Sequence, residues 1–336
     1  MKKINVAIVG ASGYTGLELI KLLINHPNFN LSYVGTSEGG MNISDLHPSL
    51  LNTVNMRVQK SKPKEIAKEC ELAFLALPHK TAMEFAKELL KLGVKVVDLS
   101  ADYRLSLENY EKHYGAHLDK EHLKNAVYGL PEINKEKIKK ASLVANPGCY
   151  PTASILALLP FKSFIKENTP IFIDAKSGVS GRGKKVSENE HFVHVNENFI
   201  SYSALKHRHE PEIAEVLNQN GIKNSIYFVP HLLPLTRGML ISAYIQVKEA
   251  IDAKKVLTKF YENEKFIRIR DEAVSIKMTA GTNFCDIFAE SKDDIVFVSS
   301  SIDNLLRGAS SQALTNANLM FGFDEDLGVP KIGYVP

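Results

Sequence analysis

Hydrophobic residues in the first hundred positions fall into short β-branched runs, separated by stretches with the apolar spacing of a helix. Runs at 4–9, 31–34, 72–77 and 94–99 predict buried strands, and 17–25 and 81–92 predict helices. Regular alternation of strand and helix is typical of a parallel, doubly wound sheet. The pattern therefore predicts an α/β domain at the start of the chain.

Beyond residue 150 the strand-like runs are separated by fewer helical stretches. These runs occupy 171–175, 225–229, 239–247 and 295–300, and a last helical stretch covers 310–320. Strands with few crossover helices between them favour a mixed or antiparallel sheet. We therefore expect a second, α+β domain, and 336 residues are enough for two domains.

Composition and charge exclude several classes of protein. The 41 basic and 38 acidic residues give a net charge of only +3, which provides no electrostatic reason to expect a nucleic acid or a membrane surface as partner. No apolar run approaches the roughly 20 residues of a membrane-spanning helix. The first apolar run is interrupted by Asn5 and continues into a glycine motif, so we interpret it as a strand rather than a signal peptide. Three cysteines without a C-x-x-C pair favour a reducing, cytoplasmic location without disulfides.

A glycine-rich segment follows the first predicted strand directly. Its spacing is G-x-x-G-x-x-G, and its residues are Gly10, Ala11, Ser12, Gly13, Tyr14, Thr15 and Gly16. Between a strand and an amphipathic helix, such glycines let a dinucleotide pyrophosphate approach the backbone N–H groups at the helix N-terminus. The segment predicts a Rossmann-type dinucleotide site; the alternative is a turn that needs positive φ and binds nothing.

The end of the second predicted strand bears on the choice of cofactor. NAD-binding domains usually carry an acidic residue there, which holds the ribose hydroxyls. This chain has Thr36 and Ser37 instead, which leave room for a 2′-phosphate and can donate to it. Glu38 follows and weakens the argument. The segment favours NADP.

Cys149 lies in the segment Asn146-Pro147-Gly148-Cys149-Tyr150-Pro151-Thr152, between a Pro-Gly turn and a helix expected to start near Pro151 or Thr152. Backbone N–H groups and the helix dipole at such a position lower a thiol pKa and can hold an oxyanion. Cys70 and Cys285 lack this setting and are expected to be buried hydrophobic residues. Cys149 is therefore the candidate nucleophile.

A thiolate nucleophile needs a partner for proton transfer. His207 and His209 alternate in a segment interpreted as extended, before a helix expected to begin at Pro211, and Glu212 in its first turn can orient one of them. Two histidines and a carboxylate are also zinc ligands, but no further ligand motif accompanies them, so we expect no metal. The other histidines, His47 among them, are expected at surface or capping positions.

Candidate anion-binding residues occur on three loops beside apolar strands. Arg104 follows a strand's carboxyl end, where ligands of open α/β sheets bind. Residues 177–185 form a Gly/Ser loop rich in N–H donors, beginning with Ser177 and Gly178, and Arg237 lies in a Pro-Leu-Thr-Arg-Gly segment. A single arginine is more often in a surface ion pair, but three in such places favour an anionic substrate.

With these segments together, the chain resembles the N-acetyl-gamma-glutamyl-phosphate reductase family, NADP-dependent acyl-phosphate reductases of arginine biosynthesis. The resemblance runs nearly end to end, and Pro-Gly-Cys-Tyr-Pro-Thr followed by His-Arg-His-x-Pro-Glu-Ile is specific to it. The matching segments are Gly10–Gly16, Asp98–Arg104, Tyr128–Glu132, Asn146–Thr152, Lys176–Lys185, His207–Ile213, Pro230–Gly238 and Asp303–Gln312.

The resemblance implies roles for residues and domains. It implies that Cys149 forms a thioester, that His207 is the acid/base and that Asn304 contacts the cofactor. The further residues implied in binding are Ser177 and Gly178 for the cofactor, and Arg104, Asn146, His209, Glu212 and Arg237 for the substrate. It also implies an NADP-binding domain of 1–148 plus about 312–336, a catalytic and dimerisation domain of 149–311, and a homodimer or homotetramer.

Departures and rival functions remain. The family pattern has a small residue where Arg182 stands, arginine where Lys184 stands and glycine near Ser311. Aspartate-semialdehyde dehydrogenase shares the chemistry, but the His-Arg-His element argues against it. A reductase for the one-carbon-longer aminoadipyl phosphate stays open. In another class, a non-catalytic nucleotide-sensing regulator is disfavoured by the intact cysteine and histidine pair.

Overall fold

The computed structural model describes residues 3–184 and 191–334. They fall into two compact units, one of Met1–Pro147 with Ala309–Val329 and one of Gly148–Gly308 with Pro330–Pro336. The sequence-based division placed the final residues with the nucleotide-binding domain, but residues from 330 onward belong to the second unit. There the Asn283 N–H donates to the Pro330 carbonyl oxygen, and Gly281 packs against Tyr334.

The first unit alternates strands and helices from its beginning. Its strands are β1 Ile4–Val9, β2 Phe29–Thr36, β3 Gln59–Lys60, β4 Leu72–Leu75, β5 Lys95–Asp98, β6 Val127–Tyr128 and β7 Leu143–Ala145. Its helices up to residue 147 are α1 Tyr14–Leu23, α2 Ile43–Leu46, α3 Pro63–Glu69, α4 Thr81–Lys91, α5 Leu107–Tyr114, α6 Lys120–Leu123 and α7 Pro131–Ile138.

All neighbouring strands of the first sheet run parallel, in the order β3-β2-β1-β4-β5-β7-β6. Buried apolar side chains such as Val9, Leu75 and Val96 form its core with helices on its faces, which explains the continuous hydrophobic runs in the sequence. The strand order reverses beside β1, so the loop after β1 lies at the topological switch point where nucleotides bind in such sheets. The predicted doubly wound parallel sheet is confirmed.

The second unit is built on a mixed sheet. Its helices are α8 Cys149–Leu158, α9 Phe192–Val195, α10 His209–Gln219, α11 Ala253–Phe260 and α12 Ile276–Thr279. Its strands are β8 Ile171–Gly178, β9 Ile200–Ser201, β10 Ile226–Leu233, β11 Met239–Gln246, β12 Ile267–Ile269, β13 Cys285–Lys292 and β14 Ile295–Ile302. The strand order is β12-β13-β14-β11-β8-β10-β9, with parallel and antiparallel pairs, as predicted.

Helix α8 packs against β11, β14 and α10, and every residue from Tyr150 to Leu158 is buried. A helix that is apolar all round is a core element, and here it carries Cys149 at its N-terminus. After β14 a short π-helix, Leu306–Ser310, leads to α13 Ser311–Met320, which returns to the first unit and is entirely buried there. Among the helices of the described residues, none combines the length and apolarity needed to span a membrane.

Candidate active site

The glycine loop of the first unit has the geometry of a pyrophosphate cradle. Gly10 has φ +92°, and a Cβ there would lie 2.2 Å from the Ala76 carbonyl oxygen. A Cβ on Gly16 would lie 2.6 Å from the Gly10 carbonyl oxygen, so the first and third glycines are required by the fold. Gly13 is sterically open and is the N-cap of α1, which begins at Tyr14 rather than at residue 17 as predicted. The loop therefore brings backbone N–H groups to a helix N-terminus, with exposed Ser12 and partly buried Thr15 beside them.

His47 supports this loop, a role that the sequence analysis missed. It is buried, and its Nε2 donates to the Ala11 carbonyl oxygen at 2.7 Å. His47 does occupy a capping position, as the C-cap of α2 and the N-cap of the 3-10 helix Pro48–Leu50, but it is buried rather than at the surface. Nothing in the local sequence predicts the contact, because it spans 36 residues.

Thr36 and Ser37, the two hydroxyl residues predicted to determine cofactor preference, have different environments in the turn after β2. Thr36 is buried, and its Oγ1 accepts from the Gly39 N–H at 3.0 Å, which fixes the turn. Ser37 and Glu38 are exposed. Ser37 is therefore the accessible hydroxyl of the pair.

Arg104 and Asn146, the two predicted substrate-binding residues of the first unit, donate hydrogen bonds to backbone carbonyl oxygens. The Arg104 guanidinium donates to the carbonyl oxygens of Asn146 and Leu99, both at 2.7 Å. Asn146 is fully buried; its amide donates to the Ala309 carbonyl oxygen and accepts from Asn316. For both residues the described contacts support loop structure, and their contact with substrate stays a prediction. Nearby, burial raises the pKa of Asp98 to about 7, although Ser100 donates to it.

In the second unit, Cys149 is the first residue of α8 and Gly148 is the N-cap. The predicted start at Pro151 or Thr152 is wrong, because proline is tolerated in the first helical turn, where its missing N–H has no intrahelical acceptor. Gly308 makes room for Cys149: a Cβ there would lie 2.6 Å from the Cys149 Cβ. Cys149 is partly exposed, whereas Cys70 and Cys285 are buried, and burial raises the pKa of the Cys70 thiol to about 11.

His207 and His209 come together beside Tyr150, the residue after Cys149. Their ring centroids are 4.9 Å apart, and the Tyr150 ring, next in sequence to Cys149, lies 5.5 Å from His207 and 5.8 Å from His209. Helix α10 begins at His209 rather than at Pro211, so the predicted extended segment is wrong. The rings are nevertheless brought together, because a turn lets the His209 N–H donate to Nδ1 of His207 at 3.1 Å.

Burial, together with the nearby positive charges of Arg182 and Arg208, lowers the pKa of His207 to about 4. Its imidazole is therefore neutral at physiological pH and can accept a proton. Tyr202 completes the pocket, with its hydroxyl 3.2 Å from that of Tyr150. Burial raises the pKa of both tyrosines, and a charge on Cys149 adds to the effect.

Glu212 makes a contact that the sequence analysis did not foresee. It is 1 % exposed, and its Oε1 accepts from the Gly148 N–H at 3.0 Å, across 64 residues. The carboxylate therefore links the first turn of α10 to the residue before the nucleophile. It supports the cysteine loop in addition to any role in orienting a histidine.

The remaining predicted residues lie around the end of β8. Asn304 is buried; its amide donates to Ser180 Oγ at 3.0 Å and accepts from the Gly238 N–H. Ser177 and Gly178 are buried, and a Cβ on Gly178 would lie 2.9 Å from the Arg237 backbone. The predicted contacts of Ser177, Gly178 and Asn304 with the cofactor stay predictions.

Arg237 pairs with buried Asp303, with 3.2 Å between Nε and Oδ2. Burial raises the pKa of Asp303, while Arg237 and backbone donors oppose that rise. Lys185, at the end of a matching segment, lies outside the described residues. Within residues 3–184 and 191–334, no three His, Cys, Asp or Glu side chains are grouped to hold a metal ion.

Comparison with known proteins agrees with both units. Residues 5–141 match the family model described as semialdehyde dehydrogenase, NAD binding domain, and 149–304 match semialdehyde dehydrogenase, dimerisation domain. Among solved structures, aspartate semialdehyde dehydrogenase II from Vibrio cholerae has a TM-score of 0.73 at 16% identity, covering 96% of this chain and 99% of its own. An aspartate semialdehyde dehydrogenase from Candida albicans, solved with NADP, has a TM-score of 0.72 at 15% identity, covering 97% and 100%. At these identities the likeness shows the fold alone.

Curated relatives are much closer in sequence. The N-acetyl-gamma-glutamyl-phosphate reductase of Wolinella succinogenes is 58% identical over 337 residues, covering 100% of both chains. The protein of the same name from Sulfurovum sp. is 58% identical over 334 residues, covering 99% of this chain and 100% of its own. The chain therefore belongs to the N-acetyl-gamma-glutamyl-phosphate reductases, oxidoreductases of the semialdehyde dehydrogenase family.

Proposed function

We propose that this protein reduces N-acetyl-L-glutamyl 5-phosphate to N-acetyl-L-glutamate 5-semialdehyde with NADPH, in the cytoplasm, through a thioester on Cys149. The observation that carries the proposal is the position of Cys149, the first residue of a buried helix whose neighbouring Tyr150 ring contacts both histidine rings. The full-length identity to curated reductases supports the substrate.

The side chains of the second unit support each covalent step. Neutral His207 accepts the thiol proton of Cys149 at Nδ1, which releases the His209 N–H as it does so, and the thiolate attacks the acyl carbon of the substrate. The carbon–oxygen bond to phosphate breaks, and phosphate leaves with the electron pair to give the thioester. The imidazolium of His207, which burial makes a strong acid, returns its proton to the leaving phosphate.

The second half of the reaction uses the glycine loop. A dinucleotide bound there supplies the hydride that reduces the thioester carbonyl. The resulting oxyanion lies near the N-terminus of α8, where backbone N–H groups and the helix dipole stabilise negative charge. Breakage of the carbon–sulfur bond then releases the aldehyde and the Cys149 thiolate, which takes up a proton from water to restore the thiol beside neutral His207.

NADPH is the proposed cofactor because no acidic residue occupies the last position of β2. That position is Thr36, and exposed Ser37 follows it with a hydroxyl accessible to a 2′-phosphate. The sterically required Gly10 and Gly16 fit a pyrophosphate in close contact with the backbone.

Phosphate-dependent oxidation of N-acetylglutamate semialdehyde by NADP tests the function. We expect it to exceed the rates with aminoadipate and aspartate semialdehydes, and Cys149→Ser to abolish it with NADPH affinity unchanged. Activity above a few per cent in Cys149→Ser would contradict the covalent mechanism. A higher rate with aminoadipate semialdehyde would favour the longer substrate, and no oxidation at all would favour a nucleotide-sensing regulator.

We also propose that the protein is a homodimer or homotetramer that uses the open face of the mixed sheet. The ring centroids of Phe172 and Tyr227 lie 5.5 Å apart there, and those of Tyr244 and Phe297 lie 5.2 Å apart. The side chains of Phe172, Tyr227 and Tyr244 are about half exposed. A contiguous exposed aromatic face of this kind marks an interface. Light scattering should show that Phe172→Lys with Tyr227→Lys lowers the mass, whereas Phe260→Lys on α11 does not. An unchanged mass in the double variant would refute this face.

A further inference from the structure

Arg182 lies beside the proposed acid/base, His207, where its positive charge acts on that ring. It ends the 3-10 helix Val179–Arg182 that follows β8, its side chain is exposed, and its Cζ lies 4.8 Å from the centre of the Tyr202 ring. The Tyr202 ring in turn lies 5.6 Å from the His207 ring. We propose that Arg182, held over Tyr202 beside His207, binds a phosphate group during the reaction. This inference rests on the proposed function.

The geometry favours a phosphate over other ligands. A guanidinium stacked on an aromatic ring keeps its N–H donors at the edge of its plane, where they can form two parallel hydrogen bonds to phosphate oxygens. Tyr202 also faces Tyr150, the residue after the nucleophile. The phosphate of an acyl phosphate is bonded to the carbon that the thiolate attacks, so it must lie close to Cys149.

Arg182 also links the phosphate to the proton transfer. The charged and titratable groups facing His207 are Arg182, Arg208, Tyr150, Tyr202 and His209. Both arginines disfavour the imidazolium. A phosphate dianion on Arg182 offsets its charge, so we expect the His207 pKa to rise when phosphate binds. The leaving phosphate therefore stabilises the protonated form of His207 until His207 returns its proton to that phosphate.

The phosphate can come from the acyl phosphate or from the dinucleotide, and separate measurements distinguish these sources. The KM for inorganic phosphate in semialdehyde oxidation reports the substrate phosphate. The dissociation constant of NADPH, followed by fluorescence, reports the cofactor. The His207 pKa, measured by NMR with and without inorganic phosphate, reports whether phosphate occupies the site, and it needs no turnover. The His207 resonance is assigned by its absence from the spectrum of His207→Asn.

We expect Arg182→Ala to raise either the phosphate KM or the NADPH dissociation constant on the order of 10- to 100-fold, the usual cost of a charge-assisted bidentate contact. It should also raise the His207 pKa and weaken its response to phosphate. Arg182→Lys should restore the pKa but only part of the affinity, because lysine lacks the planar fork. Tyr202→Phe should keep phosphate affinity, and Tyr202→Leu should weaken it.

Lys223→Ala is the control, since it removes a positive charge from an exposed position of the same unit, outside the segments assigned to binding. An equal effect of Lys223→Ala, or unchanged affinities and His207 pKa in Arg182→Ala, would overturn the proposal. A wild-type protein that oxidises no semialdehyde would instead refute the proposed function. In that case the NMR response to inorganic phosphate, present in wild type and weakened in Arg182→Ala, would still support the Arg182 site.

Discussion

The contact between Glu212 and Gly148 offers the sharpest test of how the nucleophile is held. Gly148 is buried and caps the helix that begins at Cys149, and its N–H donates to a carboxylate that is almost fully buried. A hydrogen bond to a charged group contributes about 1.5–3 kcal/mol, against about 0.5–1.5 kcal/mol for a neutral one. Glu212→Gln keeps an acceptor of the same shape, so we expect a loss of about 1 kcal/mol in the free energy of unfolding.

Glu212→Ala removes the acceptor and leaves the Gly148 N–H buried, so its cost should be about 2–3 kcal/mol. Urea unfolding measures this loss. The rate of alkylation by iodoacetamide measures the setting of Cys149, because Cys70 and Cys285 are buried. We expect kcat to fall in both variants and the alkylation rate to change, since the loop before the nucleophile is less well fixed.

Glu215→Ala is the matched control one turn further along α10. Its carboxylate accepts only from the exposed Gln219 amide among the hydrogen bonds described for it, so the unfolding free energy should change by less than about 0.5 kcal/mol. Equal unfolding energies and alkylation rates in Glu212→Ala and Glu215→Ala would refute the argument that Glu212 holds the cysteine loop.

Three further predictions follow from the described geometry. Because the pKa of His207 is lowered to about 4, kcat/KM should fall on the acid side near pH 4 rather than near pH 6.5, and a fall at pH 6.5 would contradict the role of His207. The free energy of unfolding that depends on neutral His207 should be complete above pH 6.5 and lost as the pH falls toward 4. Ser37→Asp should shift affinity from NADPH toward NADH by roughly a hundredfold, as fluorescence titration of both cofactors measures, whereas no shift would mean that the end of β2 does not set cofactor choice. Gly308→Ala should reduce the free energy of unfolding by about 1–3 kcal/mol through overpacking, because its Cβ would meet that of Cys149. It should also lower kcat by more than this loss of stability explains, and wild-type turnover would show that the π-helix can move aside.

Eight of the fourteen described strands were predicted, because each of them contains a hydrophobic run, whereas β13 was not predicted. β1 occupies the predicted residues, and β11 ends one residue from its predicted limit. The starts of α8 and α10 were misplaced for one shared reason: Pro151 and Pro211 are each the third residue of their helix rather than the first. Proline is accepted throughout the first turn, so it marks a helix start only to within a few residues.

Cys149 and His207 could be chosen as candidates because each lies in a distinctive short segment. The contacts that support the candidate site could not be predicted. Glu212 reaches Gly148, and His47 reaches Ala11, through contacts between distant parts of the chain that leave no local pattern. Gly308 appeared ordinary in sequence because only the packed structure shows which atom a Cβ would meet.

The path of the chain has a consequence for synthesis on the ribosome. Helix α13 is wholly buried and packs with α1, α7 and β5, yet its residues follow Gly148–Gly308, which is nearly all of the second unit. The nascent nucleotide-binding unit therefore lacks one of its core helices until about 170 more residues have emerged, and it exposes the apolar surface that this helix will cover. During that interval the second unit, whose residues up to Gly308 are contiguous, can fold first, so the order of folding is expected to oppose the order of translation.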